Sequence, residues 1–358
     1  MVDLLKTPDG EVALVAPEAL RTMVTSIFEK LDVSPEDAVL GADVLVSADL
    51  RGVDSHGVSN MLRNYVEGYR GGTITPRPNW SVVREALAVA TVDCDRGLGI
   101  MMAPKAMDIA IQKAKVTGIG MVTMRNGRHL GMASYHAMLA LEHNMIGVCT
   151  TAVRAIVPPT FGREPRLGTN PIAVAVPAGE EHPFVLDMAT SVVPINKIRL
   201  AERLGTSIPG GWIADEYGVP LMEEGPVPEQ YQLLPLGGTR EMGSHKGYGL
   251  AAVVEILSGI LSGQGYASMQ ERGNAGHMVA AYDIEAFTSL SEFKRMMDDW
   301  MQDLKNTPTT PGNDRVLVPG QLEDEMERER RIKGIPLHNE VITWFQDISR
   351  ELMIPYLL

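Results

Sequence analysis

Ser55 and His56 are adjacent in the sequence and form a candidate acid–base pair. Histidine is the side chain best able to give a proton to a reacting oxygen, or to take one from it, near neutral pH. A serine beside it can orient the imidazole ring or relay the proton. The same two residues also fit a plainer interpretation, a capped helix start beside a surface histidine, and the pair alone leaves both interpretations open.

Three further histidines, His129, His136 and His143, recur every seven residues, which would place them roughly on one face of a helix. However, Gly127 and Gly131 indicate that His129 precedes the helix, and no carboxylate stands at a metal-ligand spacing. We therefore expect His136 and His143 to be partly exposed helix residues, and we predict no metal site.

Two segments carry groups that favour an anion such as a phosphate. Thr190 and Ser191 follow a predicted strand and could cap a helix, whose first backbone N–H groups attract negative charge. His245 and Lys246 open a long apolar helix, where the helix dipole and the lysine act in the same direction. Each signal is weak when taken alone.

A dinucleotide fingerprint of the Rossmann type is not predicted. Gly97-Leu98-Gly99 lies between a predicted strand and a predicted helix, but Met102 occupies the third glycine position. No acidic residue closes a following strand at the expected distance either.

The order of elements indicates how these groups are positioned. Helix start signals occur at Pro17 and at Ser34-Pro35, and a third helix is predicted to begin at Ser55. Helices and strands alternate in the middle of the chain, whereas its first and last quarters are predicted to be helical. This order predicts a mixed α/β protein whose sheet domain carries a helical lobe built from both chain ends. The predicted parts are residues 1–72, 73–305 and 306–358.

Three other segments lead to local predictions. The Gly/Pro-rich segment 204–245 is predicted to be a long surface loop. The segment HKGYGLAAVVEILSGILSG is nearly all apolar, which predicts a deeply buried helix. QLEDEMERERRIKG alternates in charge sign and is predicted to be a solvated helix face.

The composition is that of a globular protein, with 45% hydrophobic and 22% charged residues among 358. The formal net charge of -13 argues against nucleic acid or an anionic membrane as a partner. Cys94 and Cys149 lie in apolar runs and are predicted to be buried free thiols. No signal peptide or membrane span is recognised, so a cytoplasmic protein is predicted.

Several uncommon polar clusters occur in a fixed order over nearly the whole chain. They are DLRGVDSHG at 49–57, NGRHLG at 126–131, RLGTNP at 166–171, DMATS at 187–191 and GSHKGYG at 243–249. Together they resemble the malate/L-lactate/sulfolactate dehydrogenase family of non-Rossmann oxidoreductases, which also includes ureidoglycolate dehydrogenase, diketogulonate reductase and cyclic-imine reductases. GHMVAAYDIEAF and the turn at Val318-Pro319-Gly320 fit the same pattern.

The resemblance implies a homodimer whose 73–305 domain binds NAD or NADP in a fold unlike the Rossmann fold. It implies that His56 is the proton donor with Ser55 as its hydrogen-bonded serine, that His129 contacts the nicotinamide region or takes the acid–base role, and that Thr169 lies on the substrate side. The cofactor-contacting positions that it implies are His129, Leu130, Gly131, Asp187, Met188, Ala189, Thr190, Gly237, Gly238, His245, Lys246, Pro319 and Gly320.

An acid substrate needs a fixed cation, for which arginine offers a bidentate fork. Relatives in the family often carry arginine four residues after the motif histidine, where this chain has Asn60. Arg63 lies seven residues after His56 and would share its face if the segment were helical, so Arg63 is the predicted substitute. Arg51 and Arg154 are weaker candidates.

Tyr65 is expected to line the same cleft or, alternatively, to pack within the helix. The resemblance therefore implies hydride transfer between nicotinamide and a small 2-oxo or 2-hydroxy acid. Reduction of such a ketone leaves an alkoxide that needs a proton at once. A reductase of cyclic 2-carboxy imines and a non-catalytic ligand-binding relative remain open as alternatives.

Overall fold

Short runs rich in β-branched and apolar residues form the strands of a central sheet. The structure is a computed structural model that describes residues 12–270 and 273–358, without the side chains of residues 203 and 204. In spatial order, the seven-stranded sheet contains β2 (Ser81–Glu85), β3 (Val89–Asp93), β4 (Ile119–Gly127), β10 (Ala275–Asp283), β5 (Met145–Ala152), β6 (Ile172–Val176) and β7 (Phe184–Met188). Only β3 and β4 pair in parallel, so the predicted mixed sheet is confirmed.

Helices cover this sheet and form most of both ends of the described chain. They are α1 (Pro17–Lys30), α2 (Pro35–Leu50), α3 (Val58–Arg70), α4 (Gly99–Thr117), α5 (Ala133–Met138), α6 (Ile195–Leu204), α7 (Ser244–Val254), α8 (Leu290–Lys305), α9 (Gln321–Lys333) and α10 (Asn339–Leu352). The predicted start of α2 is confirmed, since the Ser34 hydroxyl accepts the Asp37 N–H at 3.3 Å. In contrast, α3 begins after a separate 3-10 turn at Asp54–His56 and not at Ser55.

The two ends of the chain meet in a small sheet that the sequence did not predict. β1 (Val12–Val15) pairs antiparallel with β11 (Ile335–His338), and α1 packs on α10. The prediction that the first and last quarters of the chain are helical is therefore wrong at these two strands, because runs of four residues are too short for periodicity to identify. The pairing joins the predicted helical lobe from both chain ends. Residues 1–11, which were also predicted to be helical, lie outside the described residues.

One large hydrophobic core runs from this lobe into the sheet domain. It includes Phe28, Leu62, Val279 and Phe345, all without exposed surface. Burying each such side chain contributes roughly 1.5–3 kcal/mol to the free energy of folding. Cys94 and Cys149 are buried free thiols, as predicted.

The segment 204–245, predicted to be a surface loop, has a small core of its own. β8 (Ile213–Ala214) and β9 (Gln232–Leu233) pair within it. Ile208 and Leu233 are buried against Ile198 of α6. The prediction is incomplete, because scattered apolar residues among many glycines and prolines carry no periodic signal and yet converge once the chain folds.

The helix predicted to be deeply buried is instead exposed along one side. Ala251 and Val254 of α7 pack inward, and a π-helical turn at Glu255–Ile260 extends the helix. The apolar residues on its uncovered side are Tyr248, Leu250, Val253, Ile256, Ile260 and Leu261. A helix that is apolar on all sides is usually buried on all sides. Here the rest of the chain buries only one side of the helix, and the other side is an exposed apolar surface. Over residues 12–270 and 273–358, no helix is both long and apolar enough to cross a bilayer.

Candidate active site

A cavity of about 770 Å³ lies between the helical lobe and the sheet domain. It is lined by the turn containing Ser55 and His56, by Gly131–Ser134, by Thr169 and Pro171, by Val185–Ala189 and by Leu317–Gly320. Four of the sequence clusters therefore meet at one place. A smaller cavity of about 460 Å³, beside Ile208 and Leu221, contains no predicted site residue.

His56 lies in the wall of this cavity beside Ser55. The Ser55 hydroxyl lies 2.9 Å from Nδ1 of His56. Burial lowers the pKa of His56 to about 4, so the ring is neutral at pH 7. A hydroxyl both donates and accepts hydrogen bonds, so either ring nitrogen of His56 can carry the proton.

The turn that carries His56 is held by a buried carboxylate. Asp49 at the end of α2 accepts the N–H of Val58 at 2.8 Å and so caps α3. A Cβ at Gly57 would lie 1.9 Å from Asp49 Oδ1, so only glycine fits there. Burial, together with the negative charge of Asp54, raises the pKa of Asp49 well above its usual range.

Helix α9 reaches the same turn from the other end of the chain. Arg330 donates to the Asp54 carboxylate at 2.5 Å and also to the Asp49 carbonyl. Arg51 pairs with Glu327 of α9 at 2.9 Å. The prediction that α9 is simply a solvated face is therefore incomplete, because one side of this helix makes ionic contacts with the motif turn.

The ring of His129 is stacked on the ring of His56, with ring centroids 5.7 Å apart and planes inclined by 14°. Its Nδ1 lies 2.7 Å from the Tyr65 hydroxyl and accepts the Gly131 N–H at 3.2 Å. A backbone N–H only donates, so the proton of the neutral ring is on Nε2. Burial and the neighbouring imidazoles lower the pKa of His129 to about 3.

The structure therefore brings Ser55, His56, Tyr65 and His129 together. The other two helix histidines differ from each other. His143 is exposed, whereas His136 is fully buried with Nε2 2.7 Å from the Leu130 carbonyl oxygen. The expectation of partial exposure is wrong for His136, because α5 packs that face directly on the sheet. In the described part of the chain, no three ligating side chains are grouped to hold a metal ion.

Arg63, the predicted cation for the substrate, does not reach the cavity. It is exposed on the outer face of α3, 3.3 Å from the Glu340 carboxylate and above the Trp344 ring. The prediction required one helix to run through His56, but α3 begins only at Val58, so the seven-residue spacing does not place both residues on one face.

Asn60, which stands at the position of the family arginine, supports the turn. Its amide donates to the Asp54 carbonyl at 2.7 Å. Thr169 lines the cavity. Leu130, by contrast, is buried in the core and presents no side chain to a ligand.

Lys197 at the start of α6 lines the cavity, and sequence reasoning missed it. Its neighbour Asn196 donates from its amide to the Ser55 carbonyl at 2.9 Å, which ties α6 to the His56 turn. Within the described residues, the ammonium group of Lys197 has no ion-pair or hydrogen-bond partner, whereas Arg51 is held by an ion pair with Glu327. Arg154 is exposed and does not line the cavity. The sequence signal that could have identified Lys197 is a lysine in the first turn of the helix that follows the DMATS cluster.

The wall formed by the end of β7 carries Asp187, Met188 and Ala189. Asp187 accepts the Ser134 N–H at 2.7 Å. Burial of the Asp187 carboxyl group, together with the negative charge of Glu323, raises the pKa of Asp187.

The turn at Pro319-Gly320 joins this wall. The Pro319 carbonyl accepts the Val185 N–H at 3.1 Å. Gly320 has φ +89°, and a Cβ there would lie 2.9 Å from the Val185 nitrogen. Glycine is thus required for the close approach of the two backbones.

Thr190 is not presented to a ligand. It is buried, and its hydroxyl lies 3.0 Å from the Thr169 carbonyl and 3.1 Å from that of Asn170. The Ser191 hydroxyl donates to the Val193 carbonyl, and α6 begins only at Ile195. The prediction that Thr190 and Ser191 cap a helix is therefore wrong, because Pro194 lies between them and the helix.

The last predicted cofactor positions lie outside the main cavity, around the start of α7. Gly238 lines a separate cavity of about 310 Å³, and Gly237 is next to it in the chain. His245 and Lys246 are exposed, with His245 Nδ1 accepting from Arg240 at 3.0 Å. These residues surround a helix N-terminus beside several cations, an arrangement that favours an anion.

Comparisons with known proteins identify the family and the fold of this chain. A family model described as malate/L-lactate dehydrogenase matches residues 15–346. The chain is 41% identical over 351 residues to a malate dehydrogenase of Pyrococcus abyssi, covering 96% of each protein. It is 36% identical over 345 residues to an L-sulfolactate dehydrogenase of Methanocaldococcus jannaschii, covering 95% of this chain and 97% of that protein.

A solved structure gives the same result. Malate dehydrogenase from Entamoeba histolytica matches with a TM-score of 0.92 at 33% identity, over 96% of this chain and 99% of that chain. The chain therefore belongs to the malate/L-lactate dehydrogenase family. The family resemblance inferred from the ordered motifs is confirmed.

Proposed function

We propose that this protein transfers a hydride between NAD or NADP and a small 2-hydroxy or 2-oxo acid of the malate, lactate or sulfolactate type. The observation that carries the proposal is the Ser55–His56 pair in the wall of one 770 Å³ cavity, with the His56 ring stacked on the ring of His129. The printed names of the relatives, malate and L-sulfolactate dehydrogenase, support this substrate class.

The residues present fit a nicotinamide dinucleotide. The cavity is bordered by the tight turn at Pro319-Gly320 and by His56, and the neutral His129 ring stacked on His56 has its Nε2–H directed away from its two Nδ1 partners. Asp187, Met188 and Ala189 would hold the cofactor along the β7 wall, and His245 with Lys246 would meet a phosphate. When bound, the cofactor supplies or accepts the hydride.

His56 is the proposed acid–base group. Among the described residues, its only side-chain hydrogen-bond partner is the Ser55 hydroxyl, which can reverse its role, so Nε2 can either take a proton from a substrate hydroxyl or give one to an alkoxide. The proton of neutral His129 is fixed on Nε2 by the Gly131 N–H, which favours hydrogen-bond donation over proton acceptance. We therefore assign proton transfer to His56 and ligand orientation to His129.

Lys197 is the proposed partner of the substrate carboxylate. It replaces Arg63 in this role because it lines the cavity and its ammonium has no other partner among the described residues. Lys197→Met is expected to raise KM for the acid at least tenfold, with kcat reduced less. The exposed Lys115→Met is the matched control, and an unchanged KM in Lys197→Met would remove Lys197 from this role.

We also propose a cytoplasmic homodimer. The apolar side of α7, from Tyr248 to Leu261, is an area that a second copy of the chain would cover. Two buried free cysteines suit a reducing compartment. Light scattering gives the mass in solution, and Val253→Glu on this face is expected to shift it towards the monomer.

A screen of NADH and NADPH oxidation over pyruvate, oxaloacetate, sulfopyruvate, diketogulonate and cyclic imines tests the proposal. Turnover of a 2-oxo acid is the expected result. Turnover of cyclic imines alone would move the protein to the imine reductases. A cofactor fluorescence change without any turnover would favour a non-catalytic ligand-binding protein.

A further inference from the structure

His129 lies in a short segment between β4 and α5 whose backbone is held on both sides by buried imidazoles. His277 of β10 has Nε2 3.0 Å from the Arg128 carbonyl oxygen, and His136 of α5 has Nε2 2.7 Å from the Leu130 carbonyl oxygen. Both histidines have no exposed surface, and neither lines the cavity. The carbonyls immediately before and after His129 are thus each bound by a histidine from a different element.

The chemistry of these contacts fixes where the ring protons are. A carbonyl oxygen only accepts hydrogen bonds, so Nε2 carries the proton in His277 and in His136. Burial lowers the pKa of His277 to about 3 and that of His136 to about 4, so each ring has a single N–H at pH 7. Nδ1 of His277 then accepts from the Thr151 hydroxyl at 2.7 Å.

Two glycines show how closely this segment is packed. A Cβ at Gly99, the first residue of α4, would lie 2.4 Å from the Arg128 oxygen and 2.9 Å from the His129 carbonyl carbon. A Cβ at Gly127 would lie 2.8 Å from His277 Nε2. The backbone around His129 is therefore in contact with α4 as well as with the two imidazoles, which leaves it little room to shift.

We infer that His277 and His136 are positioning residues that hold the His129 backbone and thereby set its ring against His56. They bind no substrate or cofactor atom, and their role in catalysis rests on the proposed function of His129. Reacting groups displaced by about 1 Å lose on the order of 10²-fold in rate, so removal of one N–H donor has a measurable effect on kcat.

The first test compares two variants of one residue. In His277→Gln the side-chain amide can still donate to Arg128 and accept from Thr151, whereas His277→Met removes both bonds at similar volume. We expect kcat to fall at least tenfold in His277→Met, with KM for the acid within threefold, and to stay within threefold of the wild type in His277→Gln. The exposed His143→Gln is the control. Equal losses in both His277 variants, or no loss in either, would overturn the inference.

The second test needs no substrate, so it separates failure of this inference from failure of the proposed function. In the ¹⁵N-histidine NMR spectrum of the full chain at pH 7, we expect His136 and His277 to be neutral with the proton on Nε2. The His129 resonances are expected to shift in His277→Met and to stay in place in His277→Gln. A proton on Nδ1 of either histidine, or an unmoved His129 signal in the methionine variant, contradicts the inference. If His277→Met does not fold, His136→Met and His136→Gln give the same comparison at Leu130.

Discussion

The segments that carry His56 and His129 meet at one cavity, but they are held by different kinds of interaction. The His56 turn is held chiefly by Arg330 of α9, which forms an ion pair with the Asp54 carboxylate, and by the buried Asp49 side chain, which accepts the first N–H of α3. Asp54 is half exposed, so solvent reaches this network. Ionic contacts of this kind weaken as salt concentration rises.

The His129 segment is held by neutral groups instead. His277 and His136 are fully buried and uncharged at pH 7, so salt has little effect on their hydrogen bonds, whereas protonation in acid would place a positive charge in the buried interior. The segments that position His56, the proposed proton carrier, and His129, the proposed cofactor contact, are therefore expected to respond to different conditions. Salt acts on the first, and acid acts on the second.

The largest effect is expected from removing the proposed proton carrier. His56→Ala is expected to lower kcat by about 10²- to 10⁴-fold, which is the usual contribution of general acid–base catalysis. Cofactor binding, measured by NADH or NADPH fluorescence, should be retained. A kcat within threefold of the wild type would exclude His56 from proton transfer and make His129 the better candidate.

The neutral side of the comparison is tested by acid. The pKa values of His136 and His277 are lower in the folded protein than the ordinary 6.5. As the pH falls below 6.5, these two histidines therefore bind protons in the unfolded chain but not in the folded protein. Between pH 7 and pH 5, each histidine is expected to reduce the free energy of unfolding by about 2 kcal/mol.

Urea unfolding at pH 7, 6 and 5 measures this loss. His136→Gln should flatten the pH dependence relative to the wild type, and exposed His143→Gln should not. Because the comparison is made between variants, contributions from carboxylates such as Asp49 cancel. An identical pH dependence in His136→Gln would show that this histidine is not held neutral.

The charged side is tested by Arg330→Met. This variant removes the donor to Asp54 and to the Asp49 carbonyl, and about 1–2 kcal/mol of stability should be lost. Activity should fall because the His56 turn loosens, and added salt should affect the variant less than the wild type. The exposed Arg328→Met on the same helix is the control, and equal behaviour of the two variants would refute the anchoring role.

The smallest effect is expected at Arg63. Because it lies on the outer face of α3 with Glu340, Arg63→Met should change KM for the acid less than twofold and stability by less than about 1 kcal/mol. Steady-state kinetics beside Lys197→Met gives the comparison. A tenfold rise in KM for Arg63→Met would restore the sequence-based prediction.

Much of the fold was predictable from local signals. Ser34-Pro35 marks the start of α2, and apolar runs mark the strands of the central sheet. The ordered motifs also predicted that Ser55, His56 and His129 belong to one site. The division of the chain at residues 72 and 305 stays a prediction.

What could not be predicted depends on contacts between distant parts of the chain. The cap from Asp49 to Val58 lies where the helix restarts after His56, and Arg63 on that helix pairs with Glu340 outside the cavity. Arg330 comes from the far end of the chain, and no local pattern links it to Asp54. His277 is a further example. The motif GHMVAAYDIEAF that contains it was recognised in the sequence, but no local pattern links His277 to the Arg128 carbonyl.

The central claim is hydride transfer between nicotinamide and C2 of the acid. The most direct measurement uses reduced cofactor deuterated at the transferring position of C4, with mass spectrometry and NMR of the hydroxy acid formed from a 2-oxo acid in ordinary water. One deuterium is expected at C2 of the product. A product that carries only solvent hydrogen at C2 would contradict it.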